Sequence, residues 1–479
     1  MSFDKLPDEL KILVFSQLRI LRRACLDEWN RVVWKWDSLK SLTNVALCCR
    51  KWNELVTPVL YSTIVGEQSH TTKFLRTLLE RSDLASYVKT YSADFPWVDI
   101  IELNLIKSHR AQIRTIAKTI CLGKDLSEDW YEMVFGPLQD SDTGDALTAL
   151  IISLLPNLST LELPNEKQLG LYIVLIIEKA SHLQLAGTPG PYCNLQHVEV
   201  NGFDNDNSFF EFIAPFAKLP SMTHLTFGDA RMEEEDFEGV GLLAPHITHL
   251  SFTQGDIHPH TISPLLAHFP SLTHFSYIHQ SQDGTQYPFL PLYLREGIQH
   301  LQHSLEEMII VNREKDFEEE WQVNWNEETN EDLVTYNWIF EPESRAFGPL
   351  NGFQSLRRLE ATVFNLVGPV PRAIFDEGHA AVLEKKYRQR LRLVESLPMS
   401  LEELVLWNCR EEIGEIMNLL LDRRRQGEMM KLKRVDLVFL GKLDVEEASR
   451  WQSEGEMFSL VVTARNDRGQ TDGPTCYSE

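Results

Sequence analysis

The stretch Met222-Thr-His-Leu225-Thr-Phe227 decides the fold, because it returns almost unchanged twice along the chain. Its copies are Ile247-Thr-His-Leu250-Ser-Phe252 and Leu272-Thr-His-Phe275-Ser-Tyr277, and each begins 25 residues after the one before. Apolar residues occupy the first, fourth and sixth places of every copy. Since alternate side chains of a strand point to opposite faces, this pattern predicts a short strand with one buried face.

Six further copies of the pattern occur in the chain, and successive copies among all nine begin 25 to 51 residues apart. They begin at Leu158, Leu195, Leu305, Leu356, Leu401 and Leu432. Nine copies in order are the signature of a leucine-rich repeat, in which a helix or loop returns the chain to the next strand. Each repeat buries its apolar face only against its neighbours. The sequence therefore predicts an α/β fold, an irregular leucine-rich-repeat solenoid with a curved parallel sheet and outer helices.

The repeats divide the chain into segments. We assign residues 147–451 to the solenoid and residues 66–146 to an irregular entry region with one possible early copy at Val88 to Ala93. Residues 452–479 lose the periodicity and are predicted to be a partly disordered tail.

The first 65 residues have a different pattern. Leu6-Pro7-Asp8-Glu9-Leu10 has the features of a helix start, with a proline and two acids in the first turn, and Leu10, Leu13, Val14 and Leu18 follow at helical spacing. A second amphipathic helix is predicted from Asp37 to Leu55. Two helices of this size cannot bury both apolar faces against each other, so some apolar surface is expected to remain for a partner or for the next domain.

This segment resembles the F-box family and is similar to its fungal members. The resemblance lies in LPDEL…VFSQL, in SLTNVALCCRKWNEL, and in the Cys-Arg-x-Trp signature, which is Cys49-Arg50-Lys51-Trp52 here. It implies a small helical bundle that docks on the Skp adaptor of a cullin-based ubiquitin ligase. The bundle and docking residues that it implies are Leu6, Pro7, Leu10, Val14, Leu18, Leu42, Val45, Cys48, Cys49, Trp52 and Leu55.

The chain departs from the family at residues 19–37, where about twenty residues replace a short loop. This tryptophan-rich insert is amphipathic, so we expect it to lengthen the first helix or to add one. It could weaken or reshape adaptor binding. The alternative interpretation of residues 1–65 is a helical cap for the repeats without a partner.

The predicted target-binding face lies at the third and fifth places of the repeat strands. Adjacent strands are about 4.8 Å apart, so the third-place histidines should stack as a ladder; they are His197, His224, His249 and His274. Such a ladder could hold a metal, form a pH-sensitive binding stripe in which simultaneous protonation is unfavourable, or be an exposed feature duplicated with the repeat. Later strands carry mixed charges that suit a protein partner, at Glu307, Arg358, Glu360, Glu403, Arg434 and Asp436.

Three charged segments allow two interpretations each. The acidic insertion at about 313–345, with interleaved tryptophans, is a solvated loop or a recognition lid for a basic target. The basic runs at 385–392 and 423–425 are solvated helix faces or patches for nuclear import or an acidic partner.

Bulk composition narrows the classes of function. The formal charge of -24 disfavours nucleic acid and anionic membranes as partners, and no apolar run is long enough to span a bilayer. Seven scattered cysteines indicate neither disulfides nor zinc, and the common phosphate-loop, hydrolase and metalloprotease motifs are missing. We therefore expect a non-enzymatic substrate receptor without a cofactor, in the cytoplasm or nucleus. The alternative is a protein-interaction scaffold outside the ligase with a diverged F-box.

Overall fold

The computed structural model describes residues 6–17, 23–26, 32–35, 39–65, 71–93, 104–120, 134–135, 142–163, 171–187, 192–201, 214–228, 230–232, 244–279, 289–312, 346–367, 394–395, 397–409, 413–439 and 444–466. The described residues up to Asn201, with 218–222, belong to one compact unit, and those from Thr223 onward, with 214–217, belong to a second. Both units are α/β, with parallel strands joined by helices and turns.

The first unit begins with three helices: α1 (Asp8–Gln17), α2 (Leu39–Cys48) and α3 (Arg50–Leu60). The helix predicted from Asp37 to Leu55 is thus two helices, because Cys49 adopts an extended conformation between them. The Asn53 side-chain amide donates to the carbonyl of Ala46 across this break.

The insert between α1 and α2 is not the helix that we expected. Its described backbone is an antiparallel hairpin of β1 (Arg23–Leu26) and β2 (Val32–Lys35), paired from Arg23 opposite Lys35 to Leu26 opposite Val32. Val32, Val33 and Trp34 are residue types that favour extended backbone, and this preference opposes the helical periodicity of the segment.

The first unit continues with four parallel strands, and its sheet begins earlier than the sequence indicated. The strands are β3 (Thr63–Val65), β4 (Thr90–Ser92), β5 (Thr160–Leu163) and β6 (His197–Asn201), paired in that order. The helices are α4 (Thr71–Glu80), α5 (Arg110–Ile120), α6 (Asp142–Ser153) and α7 (Leu171–Leu185), with 3-10 turns at Ser82–Tyr87 and Asn104–His109. The early copy at Val88 to Ala93 contains β4, and Val88, Tyr91 and Ala93 are buried. Strand β3 also places residues 63–65 in the sheet, although they were assigned to the N-terminal segment.

The second unit contains the later strands. They are β7 (His224–Gly228), β8 (Ala230–Met232), β9 (His249–Ile257), β10 (His274–His279), β11 (Glu307–Asn312), β12 (Arg358–Thr362), β13 (Glu403–Cys409), β14 (Arg434–Phe439) and β15 (Val461–Asn466). Apart from β8, which pairs with β9, they lie side by side in chain order and parallel. Their helices are α8 (Pro259–Ala267), α9 (Pro291–Ile298), α10 (Val363–Val367), α11 (Ile413–Arg425) and α12 (Val445–Glu456), with a 3-10 turn at Gln299–Leu301.

The repeat pattern accounts for the core. The residues at the first, fourth and sixth places are buried in all nine copies. The second place has a backbone role, because its carbonyl accepts hydrogen bonds from two N–H groups of the next strand. The Thr248 carbonyl, for example, accepts from Thr273 and His274 at 2.9 and 3.0 Å. This linkage fixes the register of neighbouring repeats.

The end of the described chain also differs from the prediction. The sequence predicts a tail from residue 452, yet residues 452–466 complete α12 and form β15, which pairs with β14 from Arg434–Val461 to Phe439–Asn466. The pattern hides this repeat because Ser459, with a φ of 55°, stands where other copies have an apolar first residue. Leu460, at the second place, is buried instead, and Val462 is buried at the fourth place as in the other copies. Residues 467–479 lie outside the described part of the chain.

Candidate interaction surfaces

The N-terminal helices form a small bundle with its own core. Phe15, Leu42, Ala46, Val56 and Val59 are buried together, and Val45, Trp52, Leu55 and Leu60 pack against them. The rings of Phe15 and Trp52 are 5.6 Å apart, which joins α1 to α3.

An ion pair also joins α1 to α3. The Asp8 carboxylate lies 3.1 Å from Lys51 Nζ on α3 and 3.1 Å from the buried Lys11 Nζ on α1. The hydrogen bonds from Lys51 and Lys11 lower the pKa of Asp8 below its usual value. Asp8 therefore stays ionised at neutral pH and orients the first turn of α1.

The structure divides the implied docking residues between core and surface. Leu42 is buried, and Val45, Trp52 and Leu55 are half-buried against the core. Leu6 is half-buried, whereas Pro7, Leu10, Val14, Cys48 and Cys49 are exposed, and Leu18 lies outside the described residues. The core residues that the list of docking residues omits are Phe15, Ala46, Val56 and Val59.

The apolar stripe of α1 faces outward. Leu10, Leu13 and Val14 share one helix face by their spacing, and all three are exposed, with 57% of Leu13 accessible. Ile12 is also exposed, and Leu47 on α2 is 77% accessible. The helical spacing predicts that Leu10, Leu13 and Val14 face the core, but Phe15 occupies that position instead. Leu10, Leu13 and Val14 together are called here the α1 face. Such a cluster is unlike the usual scatter of single apolar residues on a protein surface.

In the second unit, the third-place residues of seven strands form a single row across the sheet. The register pairs His224 with His249, His249 with His274, and His274 with Glu307. The row continues through residues paired in the same way, Glu307, Arg358, Glu403 and Arg434. All seven side chains are at least partly exposed. The sequence prediction of a polar face thus has a continuous geometric counterpart within this unit.

Three histidines of this row stack face to face. The ring centroids of His224 and His249 are 3.8 Å apart, and those of His249 and His274 are 4.0 Å apart. His197, the fourth predicted member, occupies the same place on β6 in the first unit, where burial lowers its pKa and the nearby Glu199 opposes that shift. The structure therefore brings three of the four predicted histidines together within one unit.

The preceding threonine holds each ring. Thr223, Thr248 and Thr273 place their hydroxyl oxygens 2.8, 2.8 and 2.9 Å from Nδ1 of the following histidine. The Thr-His pair of the repeat is the sequence signal for this contact, which the interpretation of the histidines alone did not use.

The charged half of the row is internally paired. Arg358 contacts Glu307 at 3.1 Å and Glu360 at 3.0 Å, and its Nε lies 3.9 Å from Glu403. Glu360 also accepts a hydrogen bond from Trp407 Nε1 at 2.8 Å. The second arginine, Arg434, contacts Asp436 at 2.8 Å, and this contact raises the pKa of Arg434. Such pairing fixes long side chains in place.

The basic cluster 423–425 is structural and not simply a solvated helix face. Arg424 is only 5% exposed and donates to the carbonyls of Met429 and Phe458 at 2.8 and 2.5 Å. Arg423 contacts Glu428 at 2.5 Å, and Arg425 contacts Asp422 and Glu454. The basic run 385–392, the acidic insertion 313–345 and its tryptophans lie outside the described residues.

Metal-ion clusters and membrane-spanning helices are both absent from the part of the chain that the structure describes. No group of three or more His, Cys, Asp or Glu side chains is placed to hold a metal ion in the part of the chain that the structure covers. None of the described helices is long and apolar enough to cross a membrane. Comparison with known proteins found no matching family model and no matching curated protein.

Proposed function

We propose that this protein is the substrate-recognition subunit of a cullin-RING ubiquitin ligase of the SCF type. The N-terminal bundle acts as an F-box that docks on a Skp adaptor, and a leucine-rich-repeat platform presents the target. The observation that carries the proposal is the α1 face, in which Leu10, Leu13 and Val14 are exposed on a helix whose core contact is made by Phe15. The Leu-Pro and Cys-Arg-x-Trp resemblance of the same segment supports it.

In this role the chain forms and breaks no covalent bond. It holds a target near the transfer machinery, and the gain is one of effective concentration and orientation. Within the second unit, the paired backbone of the repeats and the buried first, fourth and sixth places supply a rigid platform for that task. We place the protein in the cytoplasm or nucleus, where such ligases act, and its target is a protein.

Adaptor binding by purified full-length chain tests the proposal. Fully burying a leucine is worth about 1.5–3 kcal/mol, so burying the exposed part of Leu13 contributes about 1–1.5 kcal/mol, or roughly five- to tenfold in affinity. Leu13→Asp also places a charge in the interface, and we expect it to abolish co-purification with a recombinant Skp-type adaptor.

The matched control is Leu185→Asp. Leu185 is 63% exposed at the end of α7, outside the bundle, and its substitution should leave adaptor binding unchanged. Circular dichroism and thermal unfolding verify that both variants are folded. Failure of the folded wild-type chain to bind any Skp-type adaptor, or equal binding by Leu13→Asp, would contradict the ligase role.

The β1–β2 hairpin favours a second candidate, a repeat scaffold outside the ligase with a diverged F-box. The hairpin separates α1 from α2, whereas the family has a short loop there. A chain in which residues 19–37 are replaced by a short Gly/Ser loop distinguishes the two: if only the shortened chain binds the adaptor, the scaffold role is correct.

A further inference from the structure

We propose that the histidine stack and the adjacent carboxylates bind an arginine- or lysine-bearing segment of a protein target. The surface consists of His224, His249, His274, Glu307 and Glu403 and is called here the His–Glu surface. This inference rests on the proposed function, because it assigns a chemical class of partner to the face that would present the target.

The hydroxyls behind the stack bear on which ring nitrogen carries the proton. The Thr248 hydroxyl donates to the Thr223 carbonyl at 3.3 Å, and the Thr273 hydroxyl donates to the Thr248 carbonyl at 3.1 Å. A hydroxyl has one proton, so when it donates to the carbonyl it can only accept from Nδ1 of the following histidine. Under the proposal, the neutral rings of His249 and His274 carry their proton on Nδ1.

The second ring nitrogen, Nε2, is then an acceptor. It is the atom of the ring farther from the strand, and the side chains are half-exposed on the sheet. Stacking at 3.8 and 4.0 Å repeats this arrangement on adjacent strands. Nε2 of His274 lies 3.9 Å from a carboxylate oxygen of Glu307, so ring and carboxylate acceptors meet at this point.

The charges beside the stack add to the preference for a cation. The arginines of the row are already occupied: Arg358 contacts three carboxylates, and Arg434 contacts Asp436. Glu403 is bound less closely by Arg358, since its carboxylate oxygen is 3.9 Å from Arg358 Nε. Its side chain is 46% exposed. Four carboxylates, those of Glu307, Glu360, Glu403 and Asp436, thus lie around two arginines, which leaves an excess of negative charge beside the stack.

A guanidinium or ammonium group can both donate hydrogen bonds to the acceptors and pair with the negative charge. It supplies several N–H donors, carries a positive charge, and in the case of arginine can also stack on a ring. A phosphorylated segment would need arginines that are available, and the two in this row are paired with acids. The geometry therefore favours a basic segment.

Fluorescence anisotropy with the full-length chain tests the inference. The probes are three labelled peptides of equal length that alternate serine with arginine, with glutamate, or with phosphoserine. We expect binding of the arginine peptide only, and a loss of at least about tenfold in affinity for Glu307→Gln/Glu403→Gln.

The matched control for net charge is Glu415→Gln/Glu446→Gln. Both residues are exposed on α11 and α12, and neither belongs to the His–Glu surface. A change of less than about twofold in this variant supports the inference. Equal losses in the two variants would show diffuse attraction to an acidic protein and overturn it, as would preferential binding of either acidic peptide.

The chain of hydrogen bonds from Nδ1 through the threonine hydroxyl to the carbonyl, called here the hydroxyl relay, has its own test. Thr248→Val/Thr273→Val removes the relay but keeps the side-chain shape, whereas Ser251→Ala/Ser276→Ala removes hydroxyls from the fifth place of the same strands. Nitrogen-15 NMR should show Nδ1-protonated rings in the wild type and in the serine variant, with loss of this tautomer only in the threonine variant. Nε2-protonated rings in the wild type would refute the assignment.

Adaptor binding measured on the same samples separates this inference from the proposed function. If the arginine peptide binds as expected but no adaptor does, the ligase role is wrong and the His–Glu surface remains assigned. If the adaptor binds and the peptide result is negative, only the inference fails.

Discussion

Arg424 offers a sharp test of how the C-terminal repeat is attached. Its guanidinium lies in a buried position at the end of α11 and donates to the carbonyls of Met429 and Phe458. The second contact reaches the turn that precedes β15. Without it, this strand would be held mainly by its ladder with β14 and by its packing on α12.

The expected effect of Arg424→Met follows from these contacts. Methionine keeps an apolar stem but loses two hydrogen bonds from a charged donor, each worth about 1.5–3 kcal/mol. Relief of the desolvation of a buried charge offsets part of this. We expect a net loss of about 3 kcal/mol in the stability of the turn and of β15, or roughly a hundredfold faster local opening.

Arg425→Met is the matched control one residue away. Arg425 is 47% exposed and pairs with Asp422 and Glu454 at 2.5 and 2.6 Å. Exposed ion pairs contribute about 1 kcal/mol or less, so this variant should change little. Amide hydrogen exchange over residues 458–466, measured by mass spectrometry, reports the local opening directly. Similar exchange in the two variants would refute the structural role of Arg424.

Three shorter predictions concern other parts of the molecule. Gly255→Ala should lower the unfolding midpoint with a cost of about 1–3 kcal/mol, because a Cβ there would lie 2.7 Å from the Tyr277 ring; an unchanged midpoint in thermal unfolding would contradict this. Burial lowers the pKa of His197, so its contribution to stability is present above the unfolded pKa of about 6.5 and is lost as the pH falls below it. The free energy of unfolding, measured by denaturant titration at several pH values, should therefore fall less steeply toward acid pH in His197→Asn than in the wild type. The pKa of Asp8 is lowered by Lys51 and Lys11, so the stabilisation that Asp8 provides is present above about pH 3.9 and is lost as the pH falls through the lowered pKa. Asp8→Asn should therefore speed amide hydrogen exchange in α1 at about pH 7. An unchanged exchange rate would exclude a stabilising Asp8 contact.

The repeat strands could be predicted from the sequence because their signal is local and repeated. Every copy carries its apolar residues at the same places, and burial follows at all of them. The last strand, β15, was missed because Ser459 breaks the pattern at the first place. A single polar residue removes the signal, but Leu460 beside it still fills the core.

The hairpin and the orientation of α1 depended on information that periodicity does not contain. In the insert, amphipathic spacing and β-forming residue types pointed to different structures, and the described backbone is extended. In α1, the spacing of Leu10, Leu13 and Val14 identified an apolar stripe, but it could not show that Phe15 would occupy the core. That choice depends on Trp52, which follows in the chain only after the hairpin and α2.

The position of Phe15 is also what connects the fold to the proposed function. A ten-residue helix has one face to bury, and the aromatic contact with Trp52, together with the Asp8–Lys51 pair, fixes which face that is. Leu10, Leu13 and Val14 must then lie on the exposed side of the helix. The core of the bundle therefore does not include this apolar stripe, and burying it in a complex would be favourable. The His–Glu surface differs in chemistry, because it is polar and the carboxylates around it outnumber the two arginines beside them. The two proposals therefore assign partners of opposite chemistry to the two surfaces, an apolar adaptor groove to the α1 face and a basic target segment to the His–Glu surface.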